Sequence, residues 1–121
     1  MQQLIVDQHL ELATLVGTVR KAHAAGATWE EMAAHFDEAI AKVSAHFERE
    51  ELDMTLITYP HLVEHRTNHE TFLRRLRLLR SECDRRESEL MAVFMDMLEN
   101  WLKNHERTAD DLLLRYMAGH R

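Results

Sequence analysis

Apolar residues recur along most of the chain at spacings of three and four, which is the pattern of helices that bury one face. Three interruptions of this pattern separate four helical segments. The first break, at residues 26–28, ends with Thr28, and Glu31 three residues later completes a capping box. The second break precedes Pro60, because proline disfavours helix in the residue before it, and the third is the polar stretch 83–88.

The predicted helices cover residues 3–25, 29–58, 61–82 and 88–117. Short connections between long helices predict an all-α fold, an antiparallel up-down-up-down four-helix bundle. A chain of 121 residues suffices for one domain with a buried core, so we expect residues 1–121 to form a single domain. Three glycines and one proline are too few for the many turns of a β-sandwich or barrel.

The net charge of the chain and its single cysteine indicate which partners to exclude and in which cell compartment to expect the protein. Fifteen basic residues against 21 acidic ones give a net charge of −6, which argues against nucleic acid and anionic membranes as partners. No stretch approaches the roughly 20 uninterrupted apolar residues that cross a bilayer. The single cysteine, Cys83, cannot form an internal disulfide, and the first residues lack the features of a secretory signal. We therefore expect a cytoplasmic protein.

Histidine is the unusual component of this chain. Nine of the 121 residues are histidine, the commonest metal ligand in proteins. Each of the four predicted apolar stripes contains at least one of them. The fourth stripe, for example, comprises Phe94, Leu98, Trp101, His105, Leu112 and Tyr116.

The histidines on the predicted buried faces fall into one layer of the bundle. Residues equidistant from the turn of an antiparallel hairpin lie side by side, and His9 lies 18 residues before position 27 while His46 lies 19 after it. The same reasoning brings His46 to within about one helical turn of His65 and His69. The midpoint between His69 and His105 falls inside the third break. The sequence therefore predicts a metal site in the core.

Carboxylates accompany these histidines. Glu50 follows His46 by four residues, so both side chains lie on one helix face. On the fourth helix Asp110 is five residues after His105 and Asp111 is six, and both are off the ideal facing angle. Spacing alone leaves the choice between the two aspartates open, with a slight preference for Asp110.

The remaining four histidines lie outside this layer or at its edge. His23 and His35 are three or more helical turns away from it, and His120 is near the C-terminus. We predict that these three lie on the surface or in loops. His61 is one helical turn before His65 and stays open as a further ligand.

Five imidazoles and two carboxylates are too many ligands for one ion. A single cysteine excludes thiolate zinc sites, and Ca²⁺ or Mg²⁺ would prefer oxygen ligands. Two six-coordinate ions offer twelve positions, of which five histidines, two bridging carboxylates and one bridging solvent oxygen leave one open. Mixed nitrogen and carboxylate ligation favours iron, and one open position suits a small diatomic ligand.

This set of residues resembles the hemerythrin family. The spacing of the seven residues matches the hemerythrin pattern in order, as His9, His46-x-x-x-Glu50, His65-x-x-x-His69 and His105-x-x-x-x-Asp110. The surrounding segments look like the bacterial branch of the family, the bacteriohemerythrins: Val6-Asp7-Gln8-His9, His46-Phe47-x-x-Glu50-Glu51-x-x-Met54, Tyr59-Pro60 and Trp101-Leu102-x-x-His105.

The resemblance implies a centre of two iron ions joined by an oxo or hydroxo bridge. By this likeness one iron is bound by His65, His69 and His105, the other by His9 and His46, and both by the bridging carboxylates Glu50 and Asp110. The family pattern thus selects Asp110 over Asp111. It also implies that dioxygen binds at the iron with two histidines, in a pocket formed by Leu12, Phe47, Trp101 and Leu102.

The function implied by the resemblance is reversible dioxygen binding by a carrier, store or sensor, not an enzyme. An apolar pocket fits this role because it supplies no general acid to cleave the O–O bond. The alternative is a di-iron redox enzyme or sensor acting on nitric oxide or peroxide, or an iron donor for cluster repair. A structural bundle with adventitious metal is the third. Because only eight residues precede His9, we expect a short variant or a domain of a larger signalling protein.

Overall fold

The computed structural model describes residues 2–119, with side chains from His9 onward. All regular structure in this range is helical, in the five helices α1 (Gln2–Ala24), α2 (Trp29–Leu56), α3 (Leu62–Glu82), α4 (Ser88–His105) and α5 (Asp111–Gly119). A 3₁₀ turn, Cys83–Arg85, follows α3, and a π-helical turn, Glu106–Asp110, joins α4 to α5. The predicted all-helical class is confirmed, and the predicted breaks lie within two residues of those observed.

The capping box predicted for the second helix is present. The backbone N–H of Glu31 donates to the Thr28 hydroxyl, and the backbone N–H of Thr28 donates to the Glu31 carboxylate, both at 3.2 Å. Gly26 has a φ of 78°, which suits a residue without a side chain and lets the chain reverse before this cap. The first turn of the fold is therefore specified locally.

The hydrophobic core lies in two parts, with the polar layer between them. Helix α1 contacts α2 and α4, α3 contacts α2 and α4, and the π-helical turn contacts both α4 and α5. Along α2 the larger apolar cluster ends at Phe47, and a smaller cluster begins at Met54 with Tyr59 and Leu113. Glu50 is fully buried between them. None of the helices within residues 2–119 has the length and apolar character needed to cross a membrane.

The π-helical turn changes which leucine of the C-terminal segment is buried. The predicted stripe placed Leu112 in the core, and this is wrong, because Leu112 is 57% exposed while Leu113 is fully buried. A π-helical turn closes i→i+5 hydrogen bonds and so accommodates one more residue than an α-helical turn. Every side chain after Asp110 is therefore displaced by one position relative to a continuous α-helix.

Candidate metal centre

The structure brings together all seven side chains that the sequence predicted as ligands. They come from the four helices α1 to α4 and from the last residue of the π-helical turn. Six of them are buried and His9 has a side chain that is 13% exposed. The set comprises His9 on α1, His46 and Glu50 on α2, His65 and His69 on α3, His105 on α4 and Asp110.

The donor atoms form two overlapping groups, and within each group they lie within 4.8 Å of one another. Both groups contain the carboxylates Glu50 and Asp110. The three-histidine group adds His65, His69 and His105, and the two-histidine group adds His9 and His46. Because a carboxylate has two oxygens, each shared residue can serve both groups. The arrangement is suited to two cations that lie side by side.

A single hydrogen bond cannot pair the imidazole nitrogen of His105 with both of its neighbours in the three-histidine group. Nε2 of His105 lies 3.0 Å from Nε2 of His69 and 3.0 Å from Nε2 of His65. One ring nitrogen has either one proton or one lone pair, so it cannot form well-directed hydrogen bonds to both neighbours. Two nitrogens bound at right angles to one ion, each about 2.1 Å from it, lie about 3.0 Å apart. The spacing fits a shared metal ion.

Three of the four oxygens of the shared carboxylates lack a hydrogen-bond partner within the described part of the chain, and the fourth, Asp110 Oδ2, lies 2.8 Å from Nε2 of His9. Both oxygens of Glu50 and Oδ1 of Asp110 are buried without a hydrogen bond of acceptable geometry. The nearest nitrogen, Nε2 of His65, lies 2.5 Å from Glu50 Oε1 and 2.9 Å from Asp110 Oδ1. Burying an unpaired carboxylate costs several kcal/mol, which a bound cation would offset. The donor set therefore fits a pair of cations.

Electrostatics keep the two carboxylates ionised. Burial acts to raise the pKa of Glu50, but the close imidazoles of His105 and His65 outweigh it and lower that pKa to about 2. The pKa of Asp110 is likewise held well below its usual range against burial by the same imidazoles. Burial lowers the pKa of His46 to about 4, so its ring is neutral and offers a lone pair. Against burial, the contacts with Asp110 and Glu50 raise the pKa of His65 to about 9, so a cation bound there would displace the proton of this ring.

The π-helical turn explains how Asp110 enters the centre. In an α-helix a residue five positions after His105 would point about 140° away from it around the axis. The π-helical turn removes most of this rotation, and Asp110 Oδ1 lies 3.1 Å from His105 Nε2. Asp111 instead pairs with Arg115 at 2.9 Å. Sequence reasoning missed the π-helical turn, although the five-residue step from histidine to aspartate was its signal.

Aromatic rings cover the three-histidine group. Phe47 stacks on His69 with ring centroids 3.8 Å apart and planes 2° apart. Trp101 stacks on His105 with centroids 4.3 Å apart and planes 15° apart. Leu102, the next residue after Trp101, is buried in the larger apolar cluster. The resemblance placed Phe47 and Trp101 in the pocket at the iron with two histidines, whereas the structure stacks both rings on imidazoles of the three-histidine group.

A groove approaches the two-histidine group from the surface. It has a volume of about 630 Å³ and runs between α1 and α2. Leu12, Leu15, Ala45 and His46 line it, and Lys42 lies among the polar residues. The fourth predicted pocket residue, Leu12, thus lies beside the two-histidine group.

The other histidines lie outside both donor groups where the structure describes them. His61 has a side chain that is 64% exposed and lies 3.3 Å from Glu64. His23 and His35 are half-buried, not fully exposed, and His23 Nε2 lies 3.3 Å from the hydroxyl of Ser88. The prediction for His120 concerns a position outside the described residues.

A helical bundle with a core site of five histidines and two shared carboxylates belongs to the class of metal-binding helical bundles. The sequence model of the hemerythrin HHE cation binding domain matches residues 1–117. This chain therefore belongs to the hemerythrin family. No curated protein and no solved structure gave a significant match in the comparisons.

Proposed function

We propose that this protein is a non-haem di-iron protein that binds dioxygen reversibly and serves as an oxygen carrier, store or sensor. The observation that carries the proposal is the unequal division of five imidazoles around two shared carboxylates. An ion with two histidines has fewer protein ligands than its neighbour with three. The two-histidine side is therefore the place where an outside ligand has a free coordination position.

In this proposal each of the two donor groups holds one iron ion. His65, His69 and His105 would hold one iron, His9 and His46 would hold the other, and Glu50 and Asp110 would be shared by both. A pair of ferrous ions held there would supply two electrons and an open coordination position to dioxygen. The stacked rings of Phe47 and Trp101 exclude water from the three-histidine side and offer no acidic proton.

The groove between α1 and α2 is the route by which we propose that a small ligand reaches the two-histidine group. Its lining includes Leu12 and His46, the latter a member of that group. The His9 side chain in the same group is 13% exposed, whereas those of His65 and His69 are 2% and 1% exposed. The two-histidine group, which has fewer protein ligands, is therefore the one with a histidine that solvent reaches.

We also propose that the helices run antiparallel in up-down-up-down order. His9 contacts Asp110, while Arg20, eleven residues further along α1, contacts Asp96, which precedes Asp110. The contacts therefore move towards the C-terminus on α1 and towards the N-terminus on the segment that it packs against, which supports antiparallel packing. The same reversal occurs between α2 and α3, in the pairs Glu51–Arg66 and Asp37–Arg80.

The proposal is tested by loading the protein with ferrous iron without oxygen, adding air, and removing the oxygen again while visible absorption is recorded. We expect two irons per chain and a charge-transfer band that appears with air and disappears on deoxygenation. Protein loaded with Zn²⁺ is the control, because zinc is redox-inert and gives no such band. Failure to hold two irons would contradict the di-iron centre. Irreversible conversion to a ferric form, or turnover of nitric oxide or peroxide, would contradict reversible binding and favour a redox enzyme.

A further inference from the structure

The outer nitrogen of His69 faces a carboxylate of the neighbouring helix. Nδ1 of His69 lies 3.0 Å from Oε2 of Glu51, and Nε2 of the same ring lies 3.0 Å from Nε2 of His105. The ring therefore joins the buried cluster on one side to Glu51 on the other. The His69 side chain is 1% exposed and that of Glu51 is 21% exposed, so this contact lies at the edge of the core.

Glu51 is itself held in place by a cation. Its second oxygen, Oε1, accepts a hydrogen bond of 3.0 Å from Nε of Arg66. Arg66 and His69 are three residues apart on α3, so one carboxylate on α2 contacts two side chains on the same face of α3. A guanidinium stays charged throughout the accessible pH range, and the carboxylate beside it accepts hydrogen bonds without donating any.

This arrangement determines which nitrogen of His69 carries the proton. Because the Glu51 carboxylate only accepts, His69 must donate from Nδ1, which leaves the lone pair on Nε2. That lone pair faces the cluster in which Glu50 Oε1 lies 3.4 Å from Nε2. Phe47 stacks against the face of the same ring and restrains its rotation.

We propose that Glu51, anchored by Arg66, is a positioning residue for the three-histidine group. It fixes His69 as the tautomer that presents Nε2 to the metal, and its negative charge strengthens that nitrogen as a donor. The inference rests on the metal-binding part of the proposed function. Carboxylate partners of metal-bound histidines typically contribute 10–100-fold to metal affinity, and nothing in the ligand spacing along the sequence identifies this one.

The test compares Glu51→Ala, Glu51→Gln and Arg66→Met with the wild-type protein. Glu48→Gln is the matched control, since it removes one exposed carboxylate from the same helix. Iron release to a chelator is expected to be about 10–100-fold faster for Glu51→Ala, with intermediate effects for the other two variants and none for the control. Circular dichroism measures whether each variant is folded. If Glu51→Ala does not fold, the comparison is made with Glu51→Gln and Arg66→Met.

A second readout separates positioning from general stability. Nitrogen chemical shifts of the His69 ring in the metal-free protein are expected to report Nδ1–H in the wild type and mixed tautomers in Glu51→Ala. Loss of the charge in Glu51→Gln is expected to make the reduction potential of the iron-loaded protein more positive, because a weaker donor stabilises the ferric state less.

The two proposals fail in different ways. A wild-type protein that holds no iron contradicts the proposed function, and the tautomer of His69 in the metal-free protein still decides the role of Glu51. A wild-type protein that holds two irons, together with a Glu51→Ala variant of unchanged iron release and unchanged tautomer, overturns the positioning role alone.

Discussion

The register of the C-terminal helix can be tested with two neighbouring leucines. Leu113 is fully buried and packs with Met54 and Tyr59, whereas Leu112 is 57% exposed. Truncation of a buried leucine to alanine costs about 2–5 kcal/mol. We expect about 2–3 kcal/mol for Leu113→Ala, because the smaller cluster can relax around the lost side chain. Leu112→Ala is expected to change the free energy of unfolding by no more than about 0.5 kcal/mol.

Thermal unfolding of the metal-free variants, followed by circular dichroism, measures the difference. For a domain of this size 1 kcal/mol corresponds to about 3–5 °C in Tm, so Leu113→Ala is expected to unfold about 5–15 °C below Leu112→Ala. Both substitutions exchange leucine for alanine in a helix, so helix propensity affects them equally. A larger loss for Leu112→Ala would mean that an α-helix continues through residues 106–110, and it would refute the π-helical placement of Asp110.

Three further predictions address the site and its surroundings. His105→Ala should bind less iron and lose the stabilisation that iron gives, whereas Asp111→Asn should keep its iron; metal analysis and thermal unfolding of both variants check this. Ala45→Trp should fill the groove and slow the association of dioxygen several-fold in stopped-flow measurements. Ala41→Trp, at an exposed position of α2, is the control, and both variants should keep their iron content. Burial raises the pKa of the Cys83 thiol, so at pH 8 its thiolate fraction is lower than that of a free cysteine and a disulfide reagent should react slowly until denaturant is added. Equal reaction rates in the folded and unfolded protein would contradict this placement of Cys83.

Local signals explain why the helices could be predicted from the sequence. Thr28 and Glu31 specify a cap by residues only three apart, and Pro60 marks the second break without reference to the rest of the fold. The pairs His46–Glu50 and His65–His69 are local in the same sense, because i,i+4 spacing places two side chains on one helix face whatever the neighbouring helices do. The other two ligand histidines were assigned to the layer by their distances from the turns.

The features that escaped prediction depend on contacts between helices. A π-helical turn is intrinsically unfavourable, and its presence here accompanies the entry of Asp110 into the buried cluster. Hydrophobic periodicity assumes a constant rotation per residue, so it placed Leu112 in the core in error. The contact from Glu51 to His69 likewise joins two helices whose relative rotation no spacing rule supplies.

The three-histidine side and the two-histidine side of the centre differ both in their ligands and in how far other side chains cover them. On the three-histidine side, Phe47 and Trp101 stack on the imidazoles, and Glu51 holds the outer nitrogen of His69. On the two-histidine side, His9 is partly exposed and a groove reaches His46. A metal ion with three histidines and a covered face is suited to remain saturated by protein ligands. An ion with two histidines beside a groove is suited to exchange an outside ligand, and this asymmetry is the physical basis of the proposed site of dioxygen binding.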